Sequence, residues 1–310
     1  MSIQKMKESL KGMGWGYYRI YPKHSEARCD QNGIKANPIR PDLVRKEYKG
    51  SGLDYLLVGC EPDTMFQPGE EPEEFRWWWW DNSMMPHLRY VNSTNPTGSK
   101  WWSRITYCGW SMPQHTRVDV TQRTRINRRL ELLSQGDITE IAQIWGGCVD
   151  TRKPKRKHAL ICASSERNHR YFYRETQADW IARMKGSLDR WGYTYEVRTK
   201  VGVEARKQNQ TTMQLDQGGF DVLVANHSAC ASEGVIHGVP VICSSEWNGA
   251  HEVSTPWQEF MDKGELKYYT AKQIDDWVTK ICAYTYHREE LMSNEWIDHH
   301  PDADHLRRQK

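Results

Sequence analysis

Asp221-Val-Leu-Val-Ala-Asn-His-Ser-Ala-Cys-Ala-Ser-Glu-Gly-Val-Ile-His-Gly-Val-Pro-Val-Ile-Cys243 is the stretch from which the fold is read. With Phe220 before it, it opens on a short apolar run, 220–225, that fits a buried strand. Asn226, His227 and Ser228 form a turn of polar and small residues. A short helix is expected over 229–237, stopped by Gly238. Val239 to Cys243 returns as a second buried strand.

The same alternation extends on the N-terminal side. Residues 158–163 read as a buried strand ending in Ser164-Ser165. Residues 174–191 read as a helix, because Trp180, Ile181, Met184, Leu188 and Trp191 share one helical face, and Gly192 stops it. Residues 193–198 alternate as a strand, and a polar helix is expected over 203–218. Strands alternating with helices at this spacing predict a parallel sheet covered on both faces, a Rossmann-like domain. Ligands of such sheets bind beyond the carboxyl ends of the strands. The loops that would meet one are 164–169, 198–202, 226–229 and 244–252. Beyond them, Ile274, Trp277, Val278, Ile281 and Cys282 carry helical patterning.

The 226–237 segment also carries chemistry. A helix starting at Ser228 or Ala229 would point free backbone N–H groups and the positive end of its dipole at a phosphate. The small residues would allow close approach. Glu233 lies one turn in, where a carboxylate can accept both hydroxyls of a ribose. The competing reading is a plain strand–helix–strand unit with no ligand.

Strand, Ser with small residues, Glu, then Gly-x-Pro-Val-Ile resembles the donor-binding segment of GT-B glycosyltransferases. The resemblance covers 221–243 directly, and the strand–helix order extends it over 158–254. It implies an α/β, GT-B-like fold of two facing Rossmann-like domains, with a nucleotide-sugar bound by the second. It implies that Ser228 and Ala229 meet the diphosphate and that Glu233 meets the ribose. UDP-sugar 2-epimerases and some polyol-phosphate transferases share the segment, so it marks the fold better than the reaction. The donor expected is a UDP-sugar. No metal is required in such a site, since a helix dipole and cations can stabilise the leaving diphosphate.

The loop after the first strand, Ser164-Ser165-Glu166-Arg167-Asn168-His169, would face the same crevice. Arg167 can pair with a diphosphate through its planar fork, and Ser164 or Ser165 can donate hydroxyl hydrogen bonds. The alternative is a helix N-cap with solvated charges. Arg198 and Lys200 end the next strand as further cations, and His227 can reach phosphate or sugar or simply fill its turn. An inverting enzyme needs a base for the acceptor hydroxyl. Asp63, Asp81, His87 and Asp119 are the candidates, with one of Asp63, Asp81 and Asp119 as the catalytic base. Asp81 follows Trp77-Trp-Trp-Trp80, whose aromatic neighbours would raise its pKa. The Trp run itself reads either as a stacking platform or as core packing.

The first half is less legible. Residues 53–59, 104–108 and 116–120 fit strands, and 121–133 and 137–144 fit helices, the first capped by Thr121. Residues 62–103 read as a long loop. The organisation expected is an acceptor-binding domain over 1–150, a basic linker over 151–157, a donor domain over 158–254 and C-terminal helices and tail over 255–310. Residues 1–157 hold 25 Lys+Arg and 18 Asp+Glu, and residues 158–310 hold 18 and 22, so the basic balance sits in the first half. Arg117, Arg123, Arg125, Arg128 and Arg129 crowd one helix start, and Lys35, Arg40, Arg45, Lys46 and Lys49 form a second cluster. Such clusters with interleaved aromatics suit a nucleic-acid backbone or a solvated surface.

In size and charge layout the chain resembles phage enzymes that glycosylate hydroxymethylated pyrimidines in DNA. That resemblance implies double-stranded DNA as the acceptor. An acidic glycan or membrane-surface acceptor, or a non-catalytic nucleic-acid-binding protein on the same frame, are the alternatives. No run of about 18 apolar residues predicts a membrane span. Residues 1–16 lack the apolar core of a secretory signal. Eight cysteines, none closer than 13 residues to another, hold no CxxC pair. Reduced thiols in a cytoplasmic protein are expected, in the host cytoplasm for a phage product. The tail 298–305 has metal-ligating residue types but no diagnostic spacing, and no resident metal is expected. With 15 Trp and 15 Tyr against 5 Phe, the core would be built of large rings with polar tips.

Overall fold

Two five-stranded sheets organise the described residues. The structure, a computed structural model, describes residues 15–16, 54–58, 77–82, 102–107, 120–133, 148–199, 219–287, 290 and 295–304. The chain divides into two units, Met1–Ile144 with Thr279–Lys310, and Trp145–Val278. In the first, β1 (Trp15–Gly16), β2 (Asp54–Val58) and β3 (Trp77–Asn82) run parallel, and β4 (Trp102–Tyr107) pairs antiparallel with β3. The expected long loop over 62–103 therefore contains a strand. Its β-favouring run of bulky rings was masked by surrounding Pro, Asn and Ser. Helix α1 (Val120–Leu133) starts one residue before the expected cap, so Thr121 lies inside it. The expected strand 116–120 touches the described residues only at Val120, which opens that helix. The expected helices 137–144 and 203–218 lie outside the described residues.

The second unit follows the sequence reading closely. It contains β5 (His158–Cys162), α2 (Glu166–Tyr173), α3 (Gln177–Arg190), β6 (Thr194–Arg198) and β7 (Val222–Ala225). Then come α4 (Cys230–Ile236), β8 (Val241–Cys243), β9 (Thr255–Pro256), α5 (Trp257–Lys263) and α6 (Ala271–Cys282), whose last four residues belong to the first unit. The sheet order is β6-β5-β7-β8-β9, and every pair is parallel. The alternation of side chains sorts the two faces. Ala159, Ile161, Val222, Val224 and Ile242 share a core with Trp180, Met184 and Leu188 of α3 and Phe260 of α5. Leu223 and Val241 meet α4, where a Cβ on Gly234 would lie 3.0 Å from Val241 Cγ2 and 3.2 Å from Leu223 Cδ2.

Two helices have clear local causes. Thr176 caps α3 by accepting from Asp179 N, a bond worth about 1 kcal/mol. Gly192 ends the following turn at φ 71, the left-handed region that glycine enters without strain. Buried Trp180 and Trp277 each have their ring N–H bonded. Trp180 Nε1 donates to Ser244 Oγ at 2.9 Å, and Trp277 Nε1 to Gly249 O at 2.7 Å.

The basic run 151–157, expected as an exposed linker, is held within this unit. Thr151 N donates to Tyr269 O and Arg152 N to Gly238 O, each at 2.8 Å. Arg156 N donates to Asp221 Oδ2 at 2.6 Å, its guanidinium bonds Gly219 O, and Lys157 Nζ reaches Trp191 O at 3.0 Å. Backbone acceptors at the ends of β7 and α3 attract these cations, which charge patterning along the chain does not reveal.

Towards the C-terminus, β10 (Thr285–His287) joins β4 antiparallel, and α7 (Glu295–His299) follows. The first unit's sheet is therefore mixed, where the resemblance implied a second Rossmann-like domain. There β4 pairs antiparallel with β3, and β10, about 180 positions further along the chain, pairs antiparallel with β4. Trp78 is fully buried, 4.6 Å from the Tyr107 ring and edge-on to Trp296 and His300. Core packing thus claims this member of the Trp run. His300 of the tail is a core histidine, with Nε2 3.0 Å from Ile105 O and Nδ1 accepting from Asp302 N. Arg125 is ion-paired to Glu290 and donates to Cys282 O and Thr285 O, while Arg129 pairs with Glu295. These two arginines of the expected phosphate-binding cluster are engaged inside their own unit.

Candidate functional site

The registers of the parallel sheet bring four strand ends level. Cys162 stands beside Arg198 on one side and Ala225 on the other, and Ala225 stands beside Cys243. Every loop leaving this row opens on the same edge of the sheet, which is where the sequence reading placed a ligand.

A buried polar network occupies that edge. Ser164, just past β5, donates its hydroxyl to Asn226 Oδ1 at 2.5 Å. Asn226, just past β7, sets its Nδ2 3.1 Å from the His169 ring on α2. Asn248 Nδ2 donates to Asn226 O at 2.5 Å and Ser228 O at 3.1 Å, and its Oδ1 accepts from Ala250 N at 2.8 Å. Gln177 donates to Ser164 O. His169 is fully buried, and loss of solvent pushes its pKa down to about 4, opposed by Glu166 and assisted by Arg183. Its imidazole is therefore neutral and can accept from Asn226. Asn226, His169 and Asn248 lie in the loops 226–229, 164–169 and 244–252 that the sequence reading placed at this edge, though none was given a role of its own. An Asn directly after a buried strand was the available signal, and it reads equally as ordinary turn chemistry.

The expected site residues fall into distinct roles. Ser165 is the N-cap of α2, accepting from Asn168 N at 3.3 Å, so the capping alternative holds for it. The loop expected over 164–169 is mostly this helix. Arg167 lies on α2, and its side chain is outside the described set. His227 is half-buried in the turn before α4. Ser228 Oγ accepts from Cys230 N at 3.5 Å. Ala229 caps α4 without a side-chain bond, and the amides of Ala231 and Ser232 bond Ser228 O and Ala229 O. Those amides, expected to be free for a phosphate, are satisfied within the turn, because the helix opens with tight i to i−3 bonds. Asp81 lies on β3, opposite Arg104 in register, while Asp63, His87 and Asp119 lie outside the described residues. Lys200 also lies outside them.

Glu233 is the anomaly. It is 0% exposed, and neither carboxylate oxygen has a hydrogen-bond partner among the described residues. The hydroxyl of Ser232, beside it, is likewise buried and unpartnered. A buried carboxylate left in that state costs several kcal/mol unless something else meets it. Around it stand Cys230 at the start of α4 and Cys162 at the end of β5, with the Arg198 guanidinium acting on both thiols. Carboxylate, hydroxyl and cation at one strand edge can together recognise a polyhydroxylated anion. Among the described residues, no cluster of three or more His, Cys, Asp or Glu side chains has metal-binding geometry. Nor is any helix among them long and apolar enough to cross a membrane.

No protein-family model and no curated protein matches the chain. Among solved structures, it is similar to Thermosulfurimonas dismutans KpsC, a beta Kdo 2,7 transferase, at 12% identity and a TM-score of 0.42, over 90% of this chain and 97% of that one.

Proposed function

We propose that this chain is a glycosyltransferase that binds a nucleotide-sugar at the carboxyl edge of the β5–β8 sheet and passes the sugar to a hydroxyl acceptor. The buried, unpartnered carboxylate of Glu233 carries the reading. Its two oxygens would accept the two hydroxyls of the donor's ribose, converting an uncompensated buried charge into a hydrogen-bonded one. Arg198, with Ser228, Ala229 and His227, would meet the diphosphate, and Arg167 would add a second cation. Ser164 and Ser165 support the loop rather than the ligand, since one is bonded to Asn226 and the other caps α2.

The acceptor proposed is a hydroxymethylated pyrimidine in double-stranded DNA. The basic clusters of the first half support it, reduced by the arginines already paired at Glu290 and Glu295. A base from Asp63, Asp81 or Asp119 would take the acceptor proton. The test is a thermal-shift screen against UDP, GDP, ADP, CMP and their sugars, with Glu233→Ala alongside. Stabilisation by one nucleotide in the native chain, lost in the variant, supports the donor site. Silence towards all of them removes it. Transfer of labelled sugar to DNA carrying hydroxymethylated pyrimidine, against unmodified DNA, then tests the acceptor, and no electrophoretic shift at low salt would sink the DNA reading.

A further inference from the structure

We propose that the basic run 151–157 is a docking ridge for the phosphate backbone of a nucleic acid, contacted through Lys153 and Lys155. The run holds Arg152, Lys153, Lys155, Arg156 and Lys157 and no carboxylate. It leads into β5 at His158, so it lies at the amino edge of the parallel sheet. Glu233 belongs to the opposite, carboxyl edge, because α4 follows the end of β7. Docking on the ridge is therefore independent of the donor site and shares with the proposed acceptor only the chemistry of the partner.

The ridge is pinned to the unit at both ends. Thr151 N and Arg152 N donate to Tyr269 O and Gly238 O, each at 2.8 Å. Arg156 N donates to Asp221 Oδ2 at 2.6 Å, and Lys157 O accepts from Thr194 N at 2.7 Å. Gly238 precedes β8, Asp221 precedes β7 and Thr194 opens β6, so the run crosses the amino ends of the adjacent strands β6, β5, β7 and β8. Neighbouring strands lie about 4.8 Å apart, which lays the cations over about 14 Å. One strand of B-DNA presents a phosphate about every 3.4 Å of helix axis, so about four phosphates match that length.

The carboxylates around the ridge are already engaged. Asp221 is ion-paired with Arg156, Asp150 accepts from Ala271 N at 2.6 Å, and Asp189 accepts from Tyr195 OH at 3.3 Å. Arg152, Arg156 and Lys157 turn part of their charge to the carbonyls of Phe220, Gly219 and Trp191. Lys153 and Lys155 are exposed, and their side chains make no ion pair or hydrogen bond among the described residues. Cations on a backbone already ordered can displace counterions from phosphates with little further ordering. A basic run is ordinarily a solvated face, but such a face is not pinned across four strand ends. Val149 and Tyr268, 48% and 45% exposed near the start of the run, make an anionic bilayer the competing occupant. A bilayer imposes no spacing on its cations, whereas this run fixes one.

The experiment titrates the full-length protein into a labelled DNA duplex of about 30 base pairs, read by fluorescence anisotropy from about 50 to 200 mM salt. Lys153→Gln combined with Lys155→Gln should weaken binding about tenfold at low salt and flatten the log–log salt slope by about 1.8, at about 0.9 per phosphate contact. Arg170→Gln combined with Lys185→Gln removes the same charge elsewhere in the unit and should leave the slope unchanged. Circular dichroism of both double variants checks that they are folded. Vesicles of equimolar phosphatidylserine and phosphatidylcholine form the parallel arm. An unchanged slope in the lysine variant overturns the ridge and leaves the DNA acceptor standing. An equal loss in the control variant shows a general charge effect and overturns the ridge as well. Binding to vesicles without binding to duplex overturns it in favour of a membrane. Binding to neither overturns it together with the DNA acceptor. The donor site is decided separately, by the thermal screen.

Discussion

Replacing Glu233 by Gln should move the stability of the free protein and its response to ligand in opposite directions. The free protein holds a 0% exposed carboxylate with no hydrogen-bond partner for either oxygen among the described residues. Exchanging that charge for a neutral amide removes part of its desolvation cost, so the free variant should gain about 1 kcal/mol or more. In the complex the exchange acts the other way. Two hydrogen bonds from ribose hydroxyls to a carboxylate become two to an amide, a loss of about 2.5 kcal/mol, or about seventyfold in Kd. At a nucleotide concentration of about a hundred times the native Kd, the native chain gains about 2.7 kcal/mol, equivalent to a Tm rise of about 5 °C. The variant, at the same concentration, should gain about 0.5 kcal/mol and rise by about 1 °C. Differential scanning fluorimetry across a nucleotide titration reads both quantities. Equal ligand shifts in the two proteins would refute the role assigned to Glu233. A free variant that melts below the native chain would show that the carboxylate already has a stabilising partner, and the inference from its isolation would fall.

Three further outcomes follow from the geometry. His169 has a folded pKa of about 4 against an ordinary 6.5, so its neutral form stabilises the fold above pH 6.5 and that contribution is lost as pH falls towards 4. Between pH 7 and pH 5 the loss should be about 2 kcal/mol, seen in urea denaturation and absent in His169→Gln. Gly238 sits at φ 66, where a Cβ would lie 2.8 Å from both Asp150 O and Val149 Cγ2. Gly238→Ala should cost about 3 kcal/mol from left-handed strain and overpacking together, and a Tm within 1 °C of native, on the order of the assay error, would contradict the clash. Arg125→Ala removes the ion-pair partner of Glu290, which is 2% exposed, and should cost about 3 kcal/mol, with Arg125→Lys recovering only part because the guanidinium also serves two carbonyls. Equal urea midpoints for Arg125→Ala and native protein would show that the pair contributes nothing.

Local signals carried the second unit. The apolar runs at β5, β7 and β8, the α3 face built on Trp180, Met184 and Leu188, and the stops at Gly192 and Gly238 all encode their structure within a few residues. Helix and strand periods are properties of short windows, so one chain is enough to read them. The first unit is different. Its β3 opens on four consecutive tryptophans, which have no period to read, and its β10 pairs with β4 from about 180 positions away.

The candidate site divides along the same line. Glu233 was legible because residues 221–243 hold strand, turn and helix in one continuous segment. Its isolation as a buried carboxylate was not, because burial depends on what packs over α4. The Ser164–Asn226–His169 network and the Asn248 tie to the turn each join residues brought together only by parallel strand register. The docking of Arg125 at Glu290 and of Arg156 at Asp221 is equally non-local. Sequence determined which segments become strands and helices, since those choices rest on neighbours a few residues away. Tertiary structure alone decided which side chains share a site and which cations remain for a ligand, since both follow from long-range pairing and from the removal of water.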